Sequence, residues 1–201
     1  MVLTHPRPRS GRPLHQVVAE CVAAGVPVIQ LRDKTADARA LTAQAAALRA
    51  AMDGSGALLI VNDRLDVALA AGADGVHLGP DDLPLHAARE LAPKGFLIGY
   101  STDDPTEARR AARAGADYLG VGAVFGTHSK PGLAHEAVGP ERVRAVLRSS
   151  GIPCFGIGGI TARNAPAVFA TGAAIAVLGA VMHAPEPSQV VRSLLNLARR
   201  P

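Results

Sequence analysis

Short apolar segments with strand character alternate with helix-like segments eight times along this chain of 201 residues. That alternation is the strongest constraint on its fold. Met1-Val2-Leu3-Thr4, cut off by Pro6 and Pro8, reads as a first short strand. Leu14 to Ala24 then has helical periodicity, with Leu14, Val17, Val18, Cys21 and Val22 on one face and Gly25 placed to end it. The further strands are read at 26–31, 57–61, 75–78, 96–100, 117–122, 153–157 and 173–178. The further helices are read at 36–52, 65–71, 85–91, 105–114, 140–147, 162–170 and 187–197. The strands are rich in Val, Ile, Leu and Ala, as expected of strands covered on both faces in a parallel sheet. Eight such units in one domain spanning 1–201 predict a closed (β/α)8 barrel in the α/β class. A doubly wound open sheet is the alternative, but no G-x-G-x-x-G turn follows the first strand.

A barrel places its site at the C-terminal ends of the strands. The residues that fall there are polar although the strands are not: Gln30, Arg32 and Lys34; Asn62 and Asp63; His77, Asp81 and Asp82; Ser101; Thr127, Ser129 and Lys130; Gly158 and Gly159; and Gly179 and Ala180. The stretch from Gly120 to Lys130 reads as an anion site. It brings glycines, two hydroxyls and a lysine into one loop. Arg32 and Lys34 are two residues apart, with Gln30 on the same face, and suit a diphosphate that Arg grips bidentately. Asp63 and Asp82 end adjacent strands. Each on its own reads as a helix N-cap, while the pair beside cations reads as a Mg²⁺ site completed by water and phosphate. His77 ends an apolar strand and is either a satisfied structural histidine or a ligand-binding one; His128 has no assigned role. Gly156-Ile157-Gly158-Gly159-Ile160 and Gly179-Ala180 follow strands seven and eight, where such barrels bind phosphate through backbone N–H groups. Two anion pockets, one of them metal-assisted, fit a reaction that joins two phosphorylated substrates with loss of diphosphate.

Composition narrows the partners. A net charge of +4, from 21 Lys and Arg against 17 Asp and Glu, is too mild to argue for nucleic acid. Aromatic residues are only 3% of the chain, too few for a base-stacking platform. No apolar run is long enough to span a membrane, and MVLTHPRPRS lacks the apolar segment of a signal peptide. Cys21 and Cys154 match no metal-ligand spacing. These features lead us to expect a cytoplasmic enzyme of small molecules.

The residues at the rim resemble those of the thiamine-phosphate synthase family. The matching stretches are Gln30-Leu31-Arg32-Asp33-Lys34, Val61-Asn62-Asp63, Asp74-Gly75-Val76-His77-Leu78-Gly79 with Asp82, Ile98-Gly99-Tyr100-Ser101, Asp117-Tyr118 through Thr127-His128-Ser129-Lys130, and Gly156-Ile157-Gly158-Gly159-Ile160. The resemblance implies a homodimeric (β/α)8 barrel. It implies a Mg²⁺-dependent coupling of 4-amino-5-hydroxymethyl-2-methylpyrimidine diphosphate to 4-methyl-5-(2-phosphoethyl)thiazole, in which ionisation of the diphosphate precedes attack by the thiazole nitrogen. By matching position, Gln30, Arg32, Lys34, Asn62 and Lys130 hold the pyrimidine diphosphate, Asp63 and Asp82 hold Mg²⁺, and Ser101 contacts the pyrimidine substrate or its leaving group. Thr127, Ser129, Gly159, Gly179 and Ala180 bind the thiazole phosphate. Gly179-Ala180 stands where the family commonly has an aliphatic residue and Ser, so one hydroxyl is missing and backbone donors remain. Two alternatives share the fold: a thiazole tautomerase, which generally has a catalytic His where this chain has Ala123, and a non-catalytic barrel that binds thiamine precursors.

Overall fold

The computed structural model describes residues 1–126 and 137–199. Its strands are β1 (Val2–Leu3), β2 (Val28–Leu31), β3 (Leu58–Asn62), β4 (Gly75–Leu78), β5 (Leu97–Ser101), β6 (Tyr118–Val121), β7 (Cys154–Ile157) and β8 (Ala174–Ala176). All neighbours pair in parallel, in the order β1 to β8. Closure is made by the backbone. Leu3 N–H donates to Val177 O at 2.8 Å, and Val177 N–H donates to Met1 O at 3.1 Å. The expected (β/α)8 barrel is the observed fold.

The helices are α1 (Leu14–Ala23), α2 (Ala38–Ala51), α3 (Leu65–Ala70), α4 (Leu85–Leu91), α5 (Pro105–Arg113), α6 (Gly139–Ser150), α7 (Ala165–Phe169), α8 (Gly179–Met182) and α9 (Pro187–Ala198). Three differ most from expectation. α8 is a single turn directly after β8, too short to show an apolar period. α7 starts three residues late, because Asn164 Oδ1 takes the Thr161 N–H at 2.7 Å and ties 161–164 into a turn. α6 runs three residues further, to Ser150, and stops at Gly151 with φ +70°. Strand β2 starts two residues late: Val26 N–H is spent on Cys21 O, and Pro27 has no N–H to give a ladder.

The apolar character of the strands has two different causes on the two faces. Ile29, Leu31, Leu59, Val61, Val76, Leu78, Ile98, Leu119 and Val121 are fully buried against the surrounding helices and form the main core. Burial of one such side chain contributes about 1.5–3 kcal/mol. The alternate residues point into the barrel, and there the register sets polar groups level with small ones: Asn62 opposite His77, His77 opposite Gly99, Ser101 opposite Gly120. Glycine is required at that level. A Cβ at Gly99 would overlap the Tyr118 ring and His77, and one at Gly120 would lie 3.0 Å from His77 Cε1.

Two similar turns brace the opposite end of the barrel. Asp74 Oδ2 accepts the Leu59 N–H at 2.7 Å and is 3.1 Å from Arg49. Asp117 Oδ2 accepts the Ile98 N–H at 2.7 Å and pairs with Arg89, which also bonds the carbonyls of Phe96 and Gly115. Each aspartate satisfies a strand N–H that precedes its own strand's ladder.

Candidate active site

A cavity of about 460 Å³ opens at the C-terminal ends of the strands. It gathers Gln30, Arg32, Lys34, Asn62, Asp63, His77, Asp82 and Ser101, all expected from the sequence. A neighbouring pocket of about 300 Å³ is lined by Arg32, Gly158, Gly159, Ile160, Thr161, Gly179 and Ala180 among others. Thr127, Ser129 and Lys130, together with His128, lie outside the described residues.

The charged wall comes from β2, β3 and β4. Lys34 Nζ is 2.9 Å from Asp63 Oδ2. Asp63 has φ +66°, the left-handed region, and its N–H donates to His77 O at 2.8 Å. This conformation is uncommon outside glycine and concentrates at functional positions. It ends the β3 ladder with the carboxylate on the rim. Asp82 Oδ2 accepts the Gly79 N–H at 2.7 Å. Burial raises the Asp82 pKa above the usual carboxylate range; the Gly79 bond opposes this, and the adjacent Asp63 adds to it. Neither carboxylate serves as a helix cap. The cap positions of α3 and α4 are Arg64 and Pro84, with no side-chain cap bond at either. The capping reading of both residues is therefore set aside, because each carboxylate is turned to the cavity.

Two carboxylates that face a cavity fit Mg²⁺, a hard cation that keeps several waters and takes its remaining ligands from substrate phosphates. Two carboxylate donors suit such a hydrated ion rather than a closed protein cage.

His77 is buried at the centre of the site. Its Nδ1 is 3.1 Å from the Tyr118 hydroxyl and its Nε2 is 2.8 Å from Ser101 Oγ. Burial pushes its pKa down to about 4, so the ring is neutral near pH 7 and has one donor and one acceptor nitrogen. Both are occupied, and His77 reaches the cavity through Ser101. Beneath them Gln30 is 3% exposed, with Nε2 3.5 Å from Met1 Sδ.

Several lining residues were not singled out in the sequence. Tyr118 precedes Gly120 by two residues, so strand alternation alone turns it inward. Met1, Leu3, Phe155, Ile157 and Ala176, on the β7–β8–β1 side, give the cavity an apolar wall. Their types match ordinary core residues, and Ile157 stood out only as part of the glycine-containing stretch 156–160. Thr102 and Glu107 close a third side. Glu107 accepts from Thr102 Oγ1 at 2.6 Å and from the Tyr100 hydroxyl at 3.0 Å.

The cavity's charged and apolar walls meet at the rim where barrels of this kind hold their ligands, and a glycine-lined pocket adjoins it. Fold and site together are those of a (β/α)8 enzyme of small molecules. Known proteins narrow this further. The family described as thiamine monophosphate synthase matches residues 1–181. The thiamine-phosphate synthase of Coprothermobacter proteolyticus is 46% identical over 189 residues, covering 94% of this chain and 89% of that protein. That of Natronomonas pharaonis is 44% identical, covering 93% and 88%. The solved thiamine phosphate pyrophosphorylase of Pyrococcus furiosus superposes with a TM-score of 0.88 at 39% identity, over 98% of this chain and 93% of that one. The chain belongs to the thiamine monophosphate synthase family, and it is a transferase of thiamine biosynthesis. No helix among the described residues is long and apolar enough to cross a membrane.

Proposed function

We propose that this chain joins 4-amino-5-hydroxymethyl-2-methylpyrimidine diphosphate to 4-methyl-5-(2-phosphoethyl)thiazole, releasing diphosphate and thiamine phosphate. The observation that carries the reading is the division of one cavity into two walls. Arg32, Lys34, Asp63 and Asp82 follow β2, β3 and β4, while Leu3, Phe155, Ile157 and Ala176 lie on β1, β7 and β8. A diphosphate belongs on the first wall and flat heterocycles against the second. Arg32, Lys34, Asn62 and Lys130 hold the diphosphate, and Gln30 and Ser101 orient the pyrimidine. His77 positions Ser101 through the 2.8 Å bond to its hydroxyl. Thr127, Ser129 and the backbone of Gly159, Gly179 and Ala180 take the thiazole phosphate.

Asp63 and Asp82 would hold Mg²⁺, which when bound would supply positive charge to offset that on the leaving diphosphate. The reaction breaks the C–O bond between the pyrimidine methylene and the diphosphate, and the electron pair leaves with the diphosphate. The thiazole nitrogen then gives its lone pair to that carbon. Arg32, Lys34 and Lys130 stabilise charge that grows on the departing oxygens, so they act most strongly in the transition state. The neutral His77 accepts or donates a hydrogen bond without adding charge. The apolar wall excludes water that would otherwise capture the electron-poor methylene. The same reading makes the protein a cytoplasmic homodimer that acts on small molecules, with no nucleic acid or membrane partner.

The test combines purified protein, Mg²⁺ and both substrates, and follows thiamine phosphate through its fluorescent oxidation product. Product that depends on Mg²⁺ supports the synthase. A folded protein that forms none overturns it, and a tautomerase assay on the thiazole phosphate is then the next measurement.

A further inference from the structure

Arg32 stands on the boundary between the two pockets. It lines the larger one beside Lys34, Asn62 and Asp63, and the smaller one beside Gly159, Thr161 and Ala180. Leu3, Ile157, Gly158 and Ala176 also line both, so the pockets are lobes of one cleft. The barrel's topology explains how a β2 residue reaches the β7–β8 side. Only β1 separates β2 from β8, and β1 is two residues long. The backbone beneath Arg32 is fastened to the end of that strand. Arg32 N–H donates to Thr4 Oγ1 at 2.9 Å, and Thr4 N–H donates to Gln30 O at 2.9 Å. Thr4 is 0% exposed, so the fastening is dry and rigid.

The smaller lobe is poor in side-chain donors. Among its described lining residues only Arg32 and Thr161 have any. Ala180 has none, and the N–H of Thr161 is spent on Asn164 Oδ1 at 2.7 Å. The Thr161 hydroxyl is 3.4 Å from that same oxygen, a long contact that a phosphate oxygen readily replaces. Asn164 Nδ2 in turn holds Gly159 O at 2.9 Å, which fixes the turn that presents Thr161. The neighbouring cation, Lys34, is already engaged by Asp63, whereas Arg32 pairs with no carboxylate among the described residues.

We propose that Arg32 serves both lobes at once, one edge of its guanidinium on the diphosphate and the other on the acceptor's monophosphate, with the Thr161 hydroxyl supplying the side-chain donor that Ala180 lacks. The proposal rests on the reading of the larger lobe as the diphosphate site. A guanidinium carries five N–H donors in a rigid fork and meets two anions on two edges, which the compact ammonium of lysine does not. A cation shared in this way fixes the spacing of the two phosphates and thus of the carbon and nitrogen to be joined. It also makes Arg32 a determinant of acceptor specificity, favouring a phosphorylated thiazole over the free alcohol.

Calorimetric titration without pyrimidine diphosphate separates this role from catalysis. The ligands are the thiazole phosphate, the corresponding thiazole alcohol and inorganic phosphate. The proteins are the wild type, Arg32→Gln, Arg32→Lys, Lys34→Gln and Thr161→Val. Arg32→Gln and Arg32→Lys are each expected to weaken thiazole phosphate about tenfold, and Thr161→Val about threefold to fivefold. Lys34→Gln stays within about twofold, and no variant changes binding of the alcohol. Wild-type affinity in Arg32→Gln overturns the proposal, and wild-type affinity in Arg32→Lys overturns its two-edged form. Inorganic phosphate that binds the wild type and Lys34→Gln but not Arg32→Gln, with no binding of thiazole phosphate to any of them, upholds Arg32 in the smaller lobe and removes the thiazole as acceptor; inorganic phosphate lost equally in Lys34→Gln confines Arg32 to the larger lobe and overturns the proposal. Failure of the wild type to bind either anion overturns the monophosphate lobe itself.

Discussion

Lys34 Nζ stands 2.9 Å from Asp63 Oδ2, so the cation assigned to the diphosphate rests on the carboxylate assigned to the metal. The two roles compete while the substrate is absent. Lys34→Gln is expected to strengthen binding of Mn²⁺, used as a paramagnetic substitute for Mg²⁺, to the free enzyme by a few fold, and to lower kcat/KM for the pyrimidine diphosphate by about tenfold or more. Electron paramagnetic resonance of free Mn²⁺ and initial rates check the two halves. Metal binding that weakens in the variant contradicts the competition.

The Asp82 carboxylate accepts from Gly79 N–H at 2.7 Å and caps no helix. Asp82→Ala is therefore expected to abolish metal-dependent coupling with little loss of stability. Activity at saturating Mg²⁺ and a thermal melt are read together. Full activity in the variant removes Asp82 from the metal site.

Ala180 lines the smaller lobe without a side-chain donor. Ala180→Ser adds one at a cost of one hydroxyl's volume, and a new hydrogen bond to phosphate is worth about 1 kcal/mol, or roughly fivefold. The KM for the thiazole phosphate is expected to fall by that factor, with the KM for the pyrimidine diphosphate unchanged. An unaltered KM for the thiazole phosphate counts against the phosphate assignment of this lobe.

His77 links pH to stability. Burial holds its pKa down to about 4 in the folded protein, against about 6.5 for an ordinary histidine. The unfolded chain thus takes up a proton between pH 6.5 and 4 that the folded chain refuses. The stability present above pH 6.5 is lost as the pH falls, by about 3 kcal/mol at pH 4, and the loss levels off below that. His77→Gln keeps a donor and an acceptor but does not titrate. Urea midpoints at pH 7 and pH 4.5 for the two proteins are expected to show the wild type losing its advantage in acid. Parallel pH profiles contradict a buried neutral imidazole.

At the far end of the barrel, Asp117→Ala strands the Ile98 N–H, whose residue is fully buried. The expected loss is about 1–3 kcal/mol in denaturant unfolding, with kinetic constants near those of the wild type. A large change in KM from this position argues against the separation of a stabilising face from a catalytic one.

Much of the site was open to reading because strand ends follow local rules. Gln30, Arg32, Lys34, Asn62, Asp63, His77, Asp82 and Ser101 each sit just inside or just beyond an apolar run, and the cavity collects all of them. The apolar wall was not readable, since Phe155 and Ile157 look like any core residues until the register turns them to the barrel axis. α8 was missed because four residues carry no periodicity.

By itself the sequence determined the order of strands and helices, hence a parallel barrel and the rim on which the polar residues stand. These follow from patterning, which is local. Tertiary structure alone decided that Asp63 and Asp82 face the cavity rather than cap helices, that His77 is saturated by Tyr118 and Ser101, and that Arg32 touches two lobes. The physical reason is that each of these depends on register and closure. Hydrogen bonds between neighbouring strands level His77 with Gly99 and leave room for its ring, and only the two-residue β1 separates β2 from β8, although Arg32 and Ala180 lie far apart along the chain.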